Sequence, residues 1–406
     1  MDPSLADTDR GALIRRWFLQ FSRAVLQGEV PENTLAIMTT RKPTVNQRET
    51  HGERLDGADS IRIDRVRERR VSWLPDLGVS PFFLVGLLAP SVAGRASDEV
   101  LRPKPHPWAL TARWENDSFA GSDRYYTDGV SLSVTRGGAS ALDPLIDRLP
   151  WSDADRTLGV EIAQAVFTPT ETRRAVADPS DRPYAGVLAL GLTVHLERDE
   201  AYRGFKLLTG VLGPSSLADE TIRFVHQIGS WSEPRGWDSQ LADEPILNLM
   251  HEYRHRYPLL GSGDGWEIQA LPMAGLAVGN FLDAGYGGAL VRAGYRMPRD
   301  FGPTLLRGMG QLPPPRPDED GATGWGFALH AGTQAHLVLR DMTLDGNSFR
   351  NGPRVDKNLF VPMGLVGMAV GNERFQTCFS YVFLGKEFAA QDGVFEFGSV
   401  TMIWRF

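Results

Sequence analysis

The sequence predicts an all-β chain: a twelve-stranded antiparallel transmembrane β-barrel with a short helix in an extracellular loop. Three observations point there. Runs of alternating apolar and polar residues recur from about residue 107 to the end, and successive side chains of a strand face opposite sides. Of 406 residues, 10 are Trp, 20 Phe, 9 Tyr and 43 Gly, yet mean hydropathy is only −0.24. No segment expected in the mature chain approaches the ~20 apolar residues of a spanning helix. A barrel escapes that test, because only alternate residues meet lipid.

Composition narrows the function. A net charge of −7 and a pI near 5.7 leave no basic footprint for nucleic acid. The single cysteine, Cys378, supports neither a disulfide framework nor a thiolate metal cluster.

Taken in order, residues 1–65 read as an irregular upstream extension, with one helix-like run from Ala12 to Gln27. Residues 66–96 have the layout of a secretory signal: basic Arg67 to Arg70, apolar Pro81 to Ala89, then small residues through Ala96. Signals act from an N-terminus, so translation is expected to begin near Val66 or Val71.

Residues 107–406 form the expected barrel domain. Strands are read at 107–115, 128–135, 156–167, 186–198, 202–212, 246–255, 266–279, 286–296, 325–339, 360–370, 374–384 and 398–406. Trp108, Leu110, Ala112 and Trp114 share one parity of the first strand; Val130, Leu132 and Val134 share one parity of the second, with Thr127 and Asp117 on the polar sides. Near the end, Phe375, Phe379, Tyr381 and Phe383 alternate with polar residues, as do Val400, Met402, Trp404 and Phe406. Trp108, Trp114, Phe379, Tyr381, Trp404 and Phe406 should face lipid. A soluble β-sandwich would want fewer strands.

With both termini periplasmic, the outer connections are 116–127, 168–185, 213–245, 280–285, 340–359 and 385–397. The inner connections 136–155 and 297–324 are long for periplasmic turns. The polar clusters all fall on the outer set: Asn116 and Asp117 with Thr127; Asp181 to Gly186, which includes Arg182; and the long connection containing His226 and Glu233. Within that connection, Ser216 and Asp219 read as a capping box and Gly229 as a helix stop. The near-neutral pKa of histidine suits proton abstraction from water, and oxygen ligands without thiolates suit calcium.

The motifs W-E-N-D-S-F (114–119), D-R-Y-Y-T-D-G (123–129), D-R-P-Y-A-G (181–186), G-V-L-G-P-S (210–215) and P-R-G-W-D-S-Q-L (234–241) resemble the lipid A 3′-O-deacylase (LpxR-like) family. So do V-G-N-F (278–281), D-F-G-P (300–303), L-D-G-N-S-F (344–349) and Q-D-G (391–393). The resemblance covers about 107–406 and implies a twelve-stranded bacterial outer-membrane barrel that hydrolyses an ester-linked 3′-acyloxyacyl chain of lipid A in lipopolysaccharide, using calcium. It assigns catalytic roles to Asn116, Asp117, Thr127 and His226. Where the family carries a lysine in the second outer loop, this chain offers Arg173 or Arg174. Where an acid follows the histidine by six places, it has Ser232, then Glu233.

The mechanism expected on this basis has His226 activating a water, helped by Thr127 and oriented through Asn116. Calcium on Asp117 and Glu233 would stabilise the oxyanion, and Arg173, Arg174 or Arg182 would hold negative charge on the substrate. The protein is expected to be a monomer, its active site facing the extracellular leaflet and reached by His226 from a helix folded over the barrel opening. Two other readings stay open. One is a serine-type phospholipase using Ser118, Ser215 or Ser216. The other is a non-catalytic porin, which predicts many inward charges where the sequence is read as offering mainly Ser, Thr, Gly and Gln.

Overall fold

The computed structural model describes residues 108–122, 124–149, 151, 153–229, 233–261, 265–306 and 324–406. The expected upstream extension and signal segment lie outside the described residues. Thirteen strand segments follow in order: β1 Trp108–Asn116, β2 Tyr125–Gly137, β3 Asp155–Thr168, β4 Ala185–Arg198, β5 Ala201–Leu212, β6 Glu244–His255, β7 Tyr257–Gly261, β8 Trp266–Gly279, β9 Leu282–Tyr295, β10 Gly326–Asp341, β11 Phe360–Gly371, β12 Phe375–Leu384 and β13 Phe395–Arg405. Each pairs antiparallel with its neighbours, and β1 pairs with β13. Trp108 and Phe406 exchange backbone hydrogen bonds at 2.9 and 3.2 Å. The closing contact is therefore made by the terminal aromatic itself.

β6 and β7 both pair with β8 and form one wall position, interrupted at Arg256 and irregular at Pro258. The barrel thus has the twelve strands expected. The sequence reading stopped at 255 and missed β7, because buried Arg256 turns inward to bond Glu200 and the Asp300 carbonyl. Among the described residues no helix is long and apolar enough to cross a membrane.

Parity assigns the faces. Leu132, Ile162, Leu249, Val291, Leu329, Val366, Met402 and Trp404 point outward and are exposed. Thr111, Arg113, Glu115, Ser131, Ser133 and Glu161 point inward and are buried. Apolar-out and polar-in is the pattern of a barrel whose solvent is lipid. The six aromatics expected on the lipid face all lie on the outward parity, and Trp114, Trp404 and Phe406 are exposed.

The lumen corrects one expectation. It is rich in charge, and the charges are paired: Lys206 with Glu161, Arg254 with Glu252, Arg292 with Asp300. The long inner connection after β9 explains the arrangement. Its first residues, 297–306, fold back into the lumen. Arg254 donates to the carbonyls of Phe301 (2.8 Å) and Pro303 (2.9 Å), Arg113 to Thr304 (2.8 Å), and the Leu306 amide to Glu115 (2.7 Å). Asp300 also accepts from Gln376 and from the Gly302 amide. Gly302 has φ +81°, and a Cβ there would press on Leu290, so only glycine permits this turn at no steric cost. The lumen is filled by this segment and by packed aromatics.

The other long inner connection, 138–154, packs on the outside. Its helical turn Asp143–Ile146 buries Ile146 beside the outward residues Leu158 and Leu196.

Candidate functional site

The site begins with the third outer connection. Helix α1 spans Ala218–Gly229. The expected capping box is absent: Pro214–Ser216 form a 3-10 turn, Leu217 adopts a left-handed φ of 59°, and the Ser216 hydroxyl is buried with no hydrogen-bond partner. The ordering contacts are elsewhere. Ser215 bonds Asp243 through both its amide (2.7 Å) and its hydroxyl (2.8 Å).

α1 lies against the outer side of the wall, not over the opening. A Cβ at Gly186, on the outward parity of β4, would collide with Ser216 and Ala218. Gln164, outward on β3, donates to the Ser216 carbonyl at 2.7 Å. Val166, also outward, is fully buried in a cluster with Tyr184, Ala218, Ile222 and Trp237. The lumen cluster holds the opposite parity, Phe167, Ala185 and Val187. Only a helix outside the barrel can cover the first set and leave the second alone.

Ala218, Ile222 and His226 are spaced by four residues and are all buried, at 1%, 1% and 6% exposure. They form the stripe that faces the wall. Ala218 meets β4 at Gly186, and Ile222 joins the cluster at Val166 of β3. Each four-residue step advances ~6 Å, slightly more than the ~4.8 Å between strands. His226 is the next residue of that stripe, one step beyond Ile222.

The outer rim of β1 and β2 holds the other predicted residues. Register places Asn116 opposite Asp128, and Asp128 opposite Val166. All three continue outward rows. The Asn116 amide donates to Asp128 at 3.0 Å and its carbonyl accepts from the Ser118 amide at 2.8 Å; the Trp114 indole also donates to Asp128, at 2.8 Å. A β-bulge inserts Thr127 between Tyr126 and Asp128, which breaks the parity read from the sequence. Its hydroxyl meets that of Thr168 at 2.6 Å, on the outward row of β3. The residue before the bulge pair, Tyr125, is held at φ 66°, an unfavourable conformation for a bulky side chain.

Asp117 is buried and accepts the Arg124 amide at 2.5 Å, closing the hairpin tip. Extended backbone at Asn116 (φ −155°, ψ 142°) turns the Asp117 side chain to the opposite side from Asn116. Glu233 is exposed and accepts from Gln227 at 3.3 Å. Among the described residues no three His, Cys, Asp or Glu side chains gather as a metal site. Calcium is held by carboxylate, carbonyl and hydroxyl oxygens, and the chemistry of Asp117 and Glu233 suits it.

The arginines separate. Arg173 and Arg174 are exposed in the second outer loop, which is tied to the α1 loop by the Arg235 amide donating to the Thr172 carbonyl at 2.9 Å. Asp178 lies 3.8 Å from Arg174, and hydrogen bonds from Ser180 hold its carboxyl below the usual range. Arg182 corrects the expectation for it. It is fully buried, donates to Glu387 and Thr343 at 3.0 Å each, and stacks on Phe167. It is part of the packed interior.

Asp128 is the rim residue that sequence reasoning left out. The signal was present: it continues the apolar row Val130, Leu132, Val134, where an acid has no packing role.

Comparison with known proteins follows the same lines. The family described as outer membrane protein LpxR matches residues 82–406. Among solved structures, LpxR from Salmonella typhimurium aligns with a TM-score of 0.60 at 18% identity, covering 73% of this chain and 100% of that one. The β-domain of the Bordetella autotransporter BrkA aligns with a TM-score of 0.34 at 12% identity, covering 74% and 99%. No curated protein sequence matches. The chain belongs to the LpxR family of outer membrane proteins.

Proposed function

We propose that this protein is a lipid A 3′-O-deacylase of the bacterial outer membrane, acting as a monomer on lipopolysaccharide of the extracellular leaflet. The observation that supports this reading is the burial of His226 on the wall-facing stripe of α1, outside a wall whose outward rows also carry Asn116 and Asp128. A lipid ester in the leaflet reaches that outer rim without entering the lumen.

His226 takes a proton from a water whose oxygen attacks the ester carbonyl. Thr127 helps hold that water. The second N–H of the Asn116 amide, the one not given to Asp128, donates to the oxyanion as it forms. Collapse breaks the bond to the 3′ oxygen, and the His226 imidazolium returns its proton to that leaving alkoxide. The products are a free acyloxyacyl acid and a 3′-hydroxyl. Arg173 and Arg174, exposed on the loop tied to α1, are placed to meet a lipid A phosphate. Calcium enters through the family resemblance: Asp117 and Glu233 would hold it, and when bound it would polarise the ester carbonyl.

The serine reading finds little support. The Ser215 hydroxyl bonds Asp243, and the Ser216 hydroxyl is buried with no partner. A filled lumen gives a porin no open path among the described residues.

Mass spectrometry of lipid A from cells with and without the protein tests the proposal. Loss of a 3′-acyloxyacyl unit is expected. Release of lysophospholipid would instead favour the serine hydrolase, and unchanged lipids a non-catalytic barrel.

A further inference from the structure

Asp128 is an acid on the lipid-facing parity of β2, only 6% exposed. An ionisable group placed there is costly to bury and is not needed for packing, so it marks a functional position. Its partners say what that function is. One carboxylate oxygen accepts from both the Asn116 amide, at 3.0 Å, and the Trp114 indole, at 2.8 Å. An ionised carboxylate is acceptor-only, whereas an asparagine offers a carbonyl at one end and two N–H donors at the other.

We propose that Asp128 is a positioning residue that fixes which end of the Asn116 amide faces the reacting ester. With Asp128 accepting on one side and the Ser118 amide donating to the Asn116 carbonyl on the other, a flipped amide would set carbonyl against carboxylate and N–H against N–H. The flip is therefore forbidden, and the remaining Asn116 N–H is always the group presented. Trp114 holds the carboxylate in turn, and its ring is braced edge-to-face by Phe119 at 4.9 Å. The amide thus needs no reorganisation when the oxyanion forms, which is where such donors have their largest effect.

The inference rests on the deacylase reading, and its test separates the two. Asp128→Asn can pair with Asn116 in either orientation. It is expected to lower kcat about 10–100-fold, the range for residues that orient a functional group, with KM unchanged and the barrel folded by heat-modifiable gel mobility. Asp128→Glu should recover part of the loss. In an Asn116→Ala background, Asp128→Asn should cost nothing more, because a residue acting only through Asn116 has nothing left to orient. A readout independent of turnover is the Trp114 indole N–H resonance in ¹⁵N-Trp protein in detergent, assigned with Trp114→Phe; it should move on Asp128→Asn. Unchanged kcat, an equal loss in the Asn116→Ala background, or an unmoved indole resonance each overturns the positioning role. A wild type that releases no acyl chain overturns the deacylase reading and the catalytic purpose with it, while the indole result still scores the clamp itself.

Discussion

The two faces of one wall use polar residues in opposite ways. Inside, Arg292 with Asp300, Arg254 with Glu252 and Lys206 with Glu161 satisfy one another and pin residues 297–306 in the lumen. Outside, at the rim of β1 to β4, the polar residues are few. Asn116 keeps an N–H beyond its bond to Asp128, and a helix brings His226 to the same outer face. Buried paired charge specifies a packed interior. A sparse polar row on a lipid-facing parity is, on the proposed reading, the place where a lipid reacts. Changes inside should therefore move stability, and changes at the outer rim should move turnover.

The largest expected effect is on turnover. His226→Ala removes the proton acceptor and should lower 3′-acyl release by ~10²–10⁴-fold with folding intact, measured on purified protein with lipid A as substrate. If this variant kept full activity, the contrast between the faces would fail at its most important residue.

Asp300→Ala is the counterpart inside. It leaves Arg292 buried and unpaired and frees the Gly302 turn, so it should cost roughly 3–5 kcal/mol of stability, read as a lower unfolding midpoint in urea. The folded fraction should keep its acyl release. Loss of activity without loss of stability would show that the lumen takes part in the reaction.

Smaller again is the parity test in β13. Met402→Lys puts a charge against lipid and should cost about 2–4 kcal/mol near the bilayer midplane. Thr401→Lys, one residue earlier and facing the lumen, should be mild. Equal effects would contradict the assignment of faces.

Much of this was legible in the sequence, and the reasons differ by residue. β13 shows its outward face as Val400, Met402, Trp404 and Phe406, because a strand repeats every two residues and lipid tolerates only one kind of side chain. The nearness of Asn116 and Asp117 to Thr127 across one hairpin mouth followed from strand count and parity. The bulge at Thr127 was not legible, since one inserted residue leaves no compositional trace; β2 was consequently started three residues late. Nor was the lumen plug. Glu115 meets Leu306 and Arg113 meets Thr304 across 191 residues of sequence, and no local pattern encodes such a pairing. Arg182 was misread for the same reason, its partner Glu387 lying 205 residues away. The position of α1 outside the wall is written in Gly186, but only a neighbour's coordinates reveal what a missing Cβ makes room for.

Calcium is tested apart from these contrasts. If the ion is required, a chelator should abolish acyl release and leave heat-modifiable mobility unchanged, because strands hold the barrel together. Indifference to the chelator would leave the reaction to His226, Thr127 and Asn116.

The most direct measurement is the separation of the His226 ring from the Asn116 amide and the Thr127 hydroxyl in an experimentally determined structure. A base must reach its proton directly or through one water, so His226 should lie within about 10 Å of both, with room for a single water and an ester carbonyl between them. A larger separation, with α1 ending over β3, would contradict water activation at the outer rim.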